Sequence, residues 1–167
     1  MSGAPTKPSG RRDSASEALR ARDVTHAAAR GVVGAMAMTG IRAATGGLDI
    51  VQDIPPQAII RQRLLPPLRK VPRARRDALI ELAHWGYGGA GGAVYGALPA
   101  AIRNRWWTGA GYGIAIWLGF ELAIAPALKL QRPRRGRRLR QHAALAADHL
   151  LYGLVVSEIR PAHKATR

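Results

Sequence analysis

Cysteine is absent from this 167-residue chain, and phenylalanine occurs once. No disulfide and no thiolate zinc site can form, and the redox compartment is left undetermined. Acidic residues are scarce, 10 Asp+Glu against 26 Lys+Arg, which gives a formal net charge of +16. Such an excess points to nucleic acid or to an anionic membrane surface. Arginine is far commoner than lysine, and alanine, glycine and proline are abundant. A GC-rich bacterial genome would give the same bias, but it does not explain where the charges sit. Also missing is the nucleophile elbow, the phosphate-binding P-loop and the HExxH zinc motif. Gly86, Gly88 and Gly91 match the spacing of a dinucleotide fingerprint. They do so inside an apolar run rather than at a strand–turn–helix, so the match is accidental. No enzyme, cofactor or metal is expected.

What is present is segregation. The opening MSGAPTKPSGRRDSASE (residues 1–17) is small, polar and basic, and is expected to be a disordered tail. Ser14-x-x-Glu17 has capping-box spacing, so a helix could start there. Four apolar stretches follow, at about 27–44, 79–101, 106–128 and 143–159, with a short tail at 161–167. The second and third meet the roughly 17 to 25 apolar residues that a membrane span needs; the first and fourth are shorter or more polar. The connector between the first two holds Pro55-Pro56, Pro66-Pro67 and seven Lys+Arg. Its segment QAIIRQRLL has the form of one amphipathic helix lying at the interface. The connector KLQRPRRGRRLRQ between the last two carries seven more. A soluble protein would interleave these charges at helical period. A soluble nucleic-acid-binding protein, the usual meaning of so basic a chain, is therefore disfavoured, and no nucleic acid is expected as partner.

The fold expected is all-α: a single four-span membrane domain over residues 18–160, built as a transmembrane bundle. Gly88, Gly92 and Gly96 form a ridge on the second stretch, of the kind that lets helix backbones approach closely in lipid. Gly111, Ala115 and Gly119 have the same spacing on the third, as do Gly109 and Gly113. Gly31, Ala35 and Thr39 repeat on the first; His149, Gly153 and Ser157 on the fourth. Whether these faces pack within one chain or between copies is left open, so a homo-oligomer is one expectation. Trp106 and Trp107 open the third stretch where aromatic belts occur.

His84, Glu121 and His149 lie inside the stretches, all in the half of the bilayer nearer the two basic connectors. Ionisable groups at such depth are functional hypotheses by default. They are expected to meet in the bundle interior, either as a structural hydrogen-bond set or as a proton-responsive or small-ligand centre. Glu81 and Glu158 are expected at the interface, and Asp148 facing a neighbour. The positive-inside rule puts the basic connectors in the cytoplasm, against anionic headgroups. A small oligomeric transporter or channel subunit is the alternative.

Taken together, Pro55-Pro56, HWGYG (84–88), GYGIAIWLGFELAIAP (111–126) and HLLYG (149–153) resemble the YagU-like family of small bacterial inner-membrane proteins. The likeness covers about Ala27 to Ser157. It implies a four-helix arrangement and an inner-membrane location, but no reaction, because the family's activity is poorly defined. By position it draws attention to Pro55, Pro56, His84, Glu121, Pro126 and His149.

Overall fold

Glycine decides which helices touch. The computed structural model describes residues 10–45, 71–129 and 138–158, and among these the chain is entirely helix, turn and loop, with no strand. The helices are α1 (Gly10–Thr45), α2 (Arg73–Ala97), the short α3 (Ala100–Arg103), α4 (Thr108–Gly119), the short α5 (Ala125–Ala127) and α6 (Arg138–Ser157), with a π-helical stretch, Phe120–Ile124, joining α4 to α5. Pro55, Pro56 and the expected interfacial segment lie outside the described residues.

On α2, Gly88, Gly92 and Gly96 face α1. A Cβ at Gly88 would stand 2.6 Å from the Ala35 Cβ, one at Gly92 would meet the carbonyl of Ala27, and one at Gly96 would stand 2.7 Å from the Val24 Cα. As the α2 numbers rise the α1 numbers fall, so the two helices run antiparallel. A second antiparallel pair is formed by α4 and α6. There Gly109 lies against Ser157 and Gly153, and Gly113 against the backbone of His149. The expected Gly111 and Gly119 do not take part: a Cβ at Gly111 would meet only Trp107, and one at Gly119 nothing within 4 Å. The two small-residue faces of α4 are about 200° apart at 100° per residue, and the one containing Gly109 is buried.

The pairs join where α6 lies on α1. Tyr152 threads between them, its ring 2.9 Å from where a Cβ on Gly34 would be, and its hydroxyl donates to the Gly88 carbonyl at 2.5 Å. Tyr112 donates likewise to the Gly91 carbonyl at 2.6 Å, and stacks edge-on against Tyr95 with centroids 5.1 Å apart. The glycines expose the carbonyls that these phenols reach. Tyr152→Phe is expected to cost about 1 kcal/mol, the net worth of one hydrogen bond, in a denaturant titration of the purified chain. Arg30 secures the far end of α6 by donating from Nε to the Val156 carbonyl at 2.9 Å, which satisfies one of the orphan acceptors of a helix C-terminus.

Two sequence expectations are corrected. Residues 10–17 are helical rather than a disordered tail, because α1 begins at Gly10; their Arg, Ala and Glu are good helix formers even without an apolar face. The second apolar stretch is not one helix through Ala101. Leu98 is extended (φ −61°, ψ 147°) before Pro99, a residue that disfavours the helical region for its predecessor. By length and composition one described helix, Thr108–Ala127, is apolar enough to cross a membrane. The six glycines of residues 83–96 dilute the hydropathy of α2, and polar residues do the same at the starts of α1 and α6.

Pro126 accounts for the π-helical stretch. It has no N–H for the carbonyl four residues back, and its ring would strike that carbonyl. Widening the preceding turn relieves the clash.

Candidate functional site

Polar side chains from three helices gather where the C-terminal turn of α1 meets the N-terminal half of α2 and the middle of α6, while the buried Thr108 lies apart, donating to the Ile102 carbonyl. On α2, Ile80, His84, Gly88, Gly92 and Gly96 are all buried and recur every four residues, so the glycine ridge delivers His84 to the α1 interface. Above it on α1 stand Thr39 and Arg42. The Thr39 hydroxyl donates to Glu81 Oε2 at 2.8 Å and lies 3.4 Å from His84 Nδ1. The Arg42 guanidinium lies 3.3 Å from that same Nδ1 and 3.3 Å from the Thr39 hydroxyl. Its other terminal nitrogen is 3.6 Å from Asp148 Oδ2 on α6, and both side chains of this pair are largely buried, at 15% and 10% exposure. One arginine thus ties three helices together.

Below this layer is a small cavity lined by Ala35, Met38, His84, Tyr87, Gly88, Ile116, His149 and Tyr152, with about 20 Å³ open to the centre of a water molecule. That is room for about one water. His149 reaches it from α6, with Nδ1 2.7 Å from the Leu145 carbonyl one turn back.

Of the three residues expected to meet, the structure brings two together. His84 and His149 line the same cavity, and Glu121 does not. Its carboxylate lies 3.6 Å from His142 Nε2, and the His142 ring packs edge-on to Trp117 with centroids 6.1 Å apart. Glu121 continues the row of Gly109, Gly113 and Trp117 and meets the first turns of α6, a contact separate from the cavity. The acids that serve the interior are Glu81 and Asp148, expected at the interface and against a neighbour. Arg42, near the end of an apolar stretch, and Thr39, placed only in a small-residue row, carried no sequence signal of meeting them. Among the described residues no group of three or more His, Asp and Glu side chains is placed to hold a metal ion.

No family model, no curated protein and no solved structure matches this chain. The resemblance to the YagU-like family therefore adds nothing to the reading of the site, which rests on the geometry.

Proposed function

We propose that the chain is a non-enzymatic integral membrane protein of the bacterial inner membrane: its four long helices cross the bilayer together, its basic end lies against anionic lipid on the cytoplasmic side, and the Arg42 layer locks the helices in register. The observation that carries this reading is the distribution of side-chain size. The closest helix contacts run through glycine and alanine, and only six large apolar side chains, Met38, Ile80, Tyr95, Leu145, Tyr152 and Val156, are buried among the described residues. The outside carries Val33, Leu82, Val94 and Leu122, at 57%, 58%, 58% and 73% exposure. Water would reward the reverse arrangement. In hydrocarbon the large side chains lose nothing by facing out, and close backbone packing becomes the favourable term.

Two further observations agree. The 20 residues of Thr108–Ala127 span about 30 Å at 1.5 Å per residue, the thickness of a hydrocarbon core. Only 6% of the apolar window in this helix is buried, whereas the core helix of a soluble protein is mostly covered. Trp106, 93% exposed, and Trp107 flank its start. Then there is the sign of the charges. Arg73, Arg75 and Arg76 open α2, Arg138 and Arg140 open α6, and neither helix has an acid in its first turn. Cations at a helix N-terminus oppose its dipole. Their placement makes sense toward an external anion, and anionic headgroups supply about 1 kcal/mol for each suitably placed basic residue.

The small cavity gives no support to the alternative of a transport path through a single chain. Alkaline carbonate extraction of a membrane fraction tests the proposal: the chain is expected to stay in the pellet, and its release into the supernatant would overturn it.

A further inference from the structure

The two histidines of the cavity are fixed in opposite tautomers by their neighbours. His84 Nδ1 lies 3.3 Å from the Arg42 guanidinium, a group that only donates. The guanidinium favours a lone pair on that nitrogen over the N–H that the Thr39 hydroxyl, 3.4 Å away, could accept, so the resting neutral His84 is expected to carry its proton on Nε2. His149 Nδ1 lies 2.7 Å from the Leu145 carbonyl, an oxygen that only accepts. That nitrogen must donate, so a neutral His149 carries its proton on Nδ1 and has a lone pair on Nε2. In both rings Nδ1 is engaged within the protein. Among the described residues no hydrogen-bond partner is recorded for either Nε2, and both rings line the same cavity.

We propose that this cavity is a binding site for a single water molecule, which accepts from His84 Nε2–H and donates to His149 Nε2, and that the three groups form a proton relay. Its outer end is already assembled. The Thr39 hydroxyl bonds Glu81 Oε2 at 2.8 Å and lies 3.4 Å from His84 Nδ1. A proton arriving on Glu81 passes to the Thr39 oxygen as the hydroxyl proton moves to His84 Nδ1. The Nε2 proton of His84 then leaves to the water, and a proton of that water goes to His149 Nε2. The balance is one proton from the Glu81 carboxyl to the His149 imidazole. The rest of the chain returns to its number of protons, with the hydrogen on His84 moved from Nε2 to Nδ1. The charged groups that face the route are Arg42 on α1, Glu81 on α2 and Asp148 on α6; α4 contributes Ile116 to the cavity wall and Glu121 further off. The Arg42–Asp148 pair holds Arg42 against Nδ1, which sets the resting tautomer of His84. The relay uses the polar layer but not the bilayer, so it stands or falls separately from the membrane assignment.

The test is nitrogen NMR of the full chain with 15N-labelled histidine, reconstituted in phosphatidylcholine/phosphatidylglycerol vesicles, or in plain buffer if carbonate releases it. Signals are assigned with His84→Gln and His149→Gln. At neutral pH, His84 is expected to be protonated on Nε2 and His149 on Nδ1, with magnetisation passing from water to the Nε2 nitrogens of both. His149→Phe puts a ring without a lone pair against the cavity, and is expected to abolish that transfer to His84. His149→Gln keeps an acceptor and is expected to retain it, which separates loss of the water from loss of the fold. The same tautomer in both rings, or no contact between water and either Nε2, would overturn the proposal. So would transfer to His84 that His149→Phe leaves unchanged.

Discussion

Gly92→Val is expected to destabilise the chain by about 3 kcal/mol. A Cβ at position 92 would meet the Ala27 carbonyl and stand 3.0 Å from the Gly31 Cα. These are backbone atoms, so no side chain can swing aside and one helix must move. Overpacking a well-filled contact costs about 1–3 kcal/mol where the neighbours can yield, and here they cannot without also displacing Gly88 and Gly96. Gly113→Val should behave alike on the other pair, where the obstacle is the backbone of His149. The controls are built into the sequence. Gly86 and Gly119 have nothing within 4 Å of a built Cβ. Changing either to alanine should be neutral or stabilise by up to about 1 kcal/mol through helix propensity. Denaturant titration in detergent micelles, followed by circular dichroism, separates the two classes. Equal losses at positions 92 and 119 would mean that α1 and α2 do not pack through this ridge.

The second large effect concerns the Arg42–Asp148 pair. Asp148→Ala removes the carboxylate that α6 sets against the buried Arg42 guanidinium, and Arg42→Ala removes the cation that faces the buried Asp148. Breaking a buried pair from one side costs about 3–5 kcal/mol. The double variant Arg42→Met/Asp148→Leu removes both charges and restores apolar volume, and is expected to recover most of the loss. The cycle formed by the single and double variants then gives a coupling energy well outside the roughly 0.5 kcal/mol of independent sites. Simple additivity would show that the two residues do not face each other. The exposed Arg30–Glu158 pair, 3.5 Å apart with the carboxylate 47% exposed, should show little coupling by comparison.

Part of this molecule was legible in its sequence. The ridge at Gly88, Gly92 and Gly96 could be read because three glycines at a four-residue period leave one register to choose, and His84 follows at the same period. Its partner face, Gly31 and Ala35, was legible for the same reason. On α4 two small-residue registers compete, Gly109/Gly113 and Gly111/Ala115/Gly119, and nothing in the local sequence decides between them. The choice is made by α6, whose Gly153 and Ser157 fit the first.

The polar layer was half legible. His84 and His149, expected at neighbouring depths, line one cavity. Glu121 follows Gly109, Gly113 and Trp117 at the four-residue period and so faces α6, but the contact of Gly113 with His149 fixes the level of the pair and sets Glu121 two turns away, against His142. Arg42, Glu81 and Asp148 were each visible as ionisable residues in or beside apolar stretches. Their meeting depends on three helices arriving together, a tertiary fact that no local pattern encodes.

The lack of native cysteine makes the most direct test clean. Single cysteines at Val33, Leu82, Val94 and Leu122, all apolar and outward-facing, and one at Leu139, 82% exposed at the basic end, can each carry a nitroxide spin label in the chain reconstituted in vesicles. If hydrocarbon surrounds the helices, labels at the first four positions relax with dissolved oxygen and are shielded from a water-soluble paramagnetic reagent, while the label at position 139 shows the opposite preference. Water-soluble reagent reaching all five labels equally, with the helices still folded, would contradict a bilayer-spanning arrangement and return this surface to water.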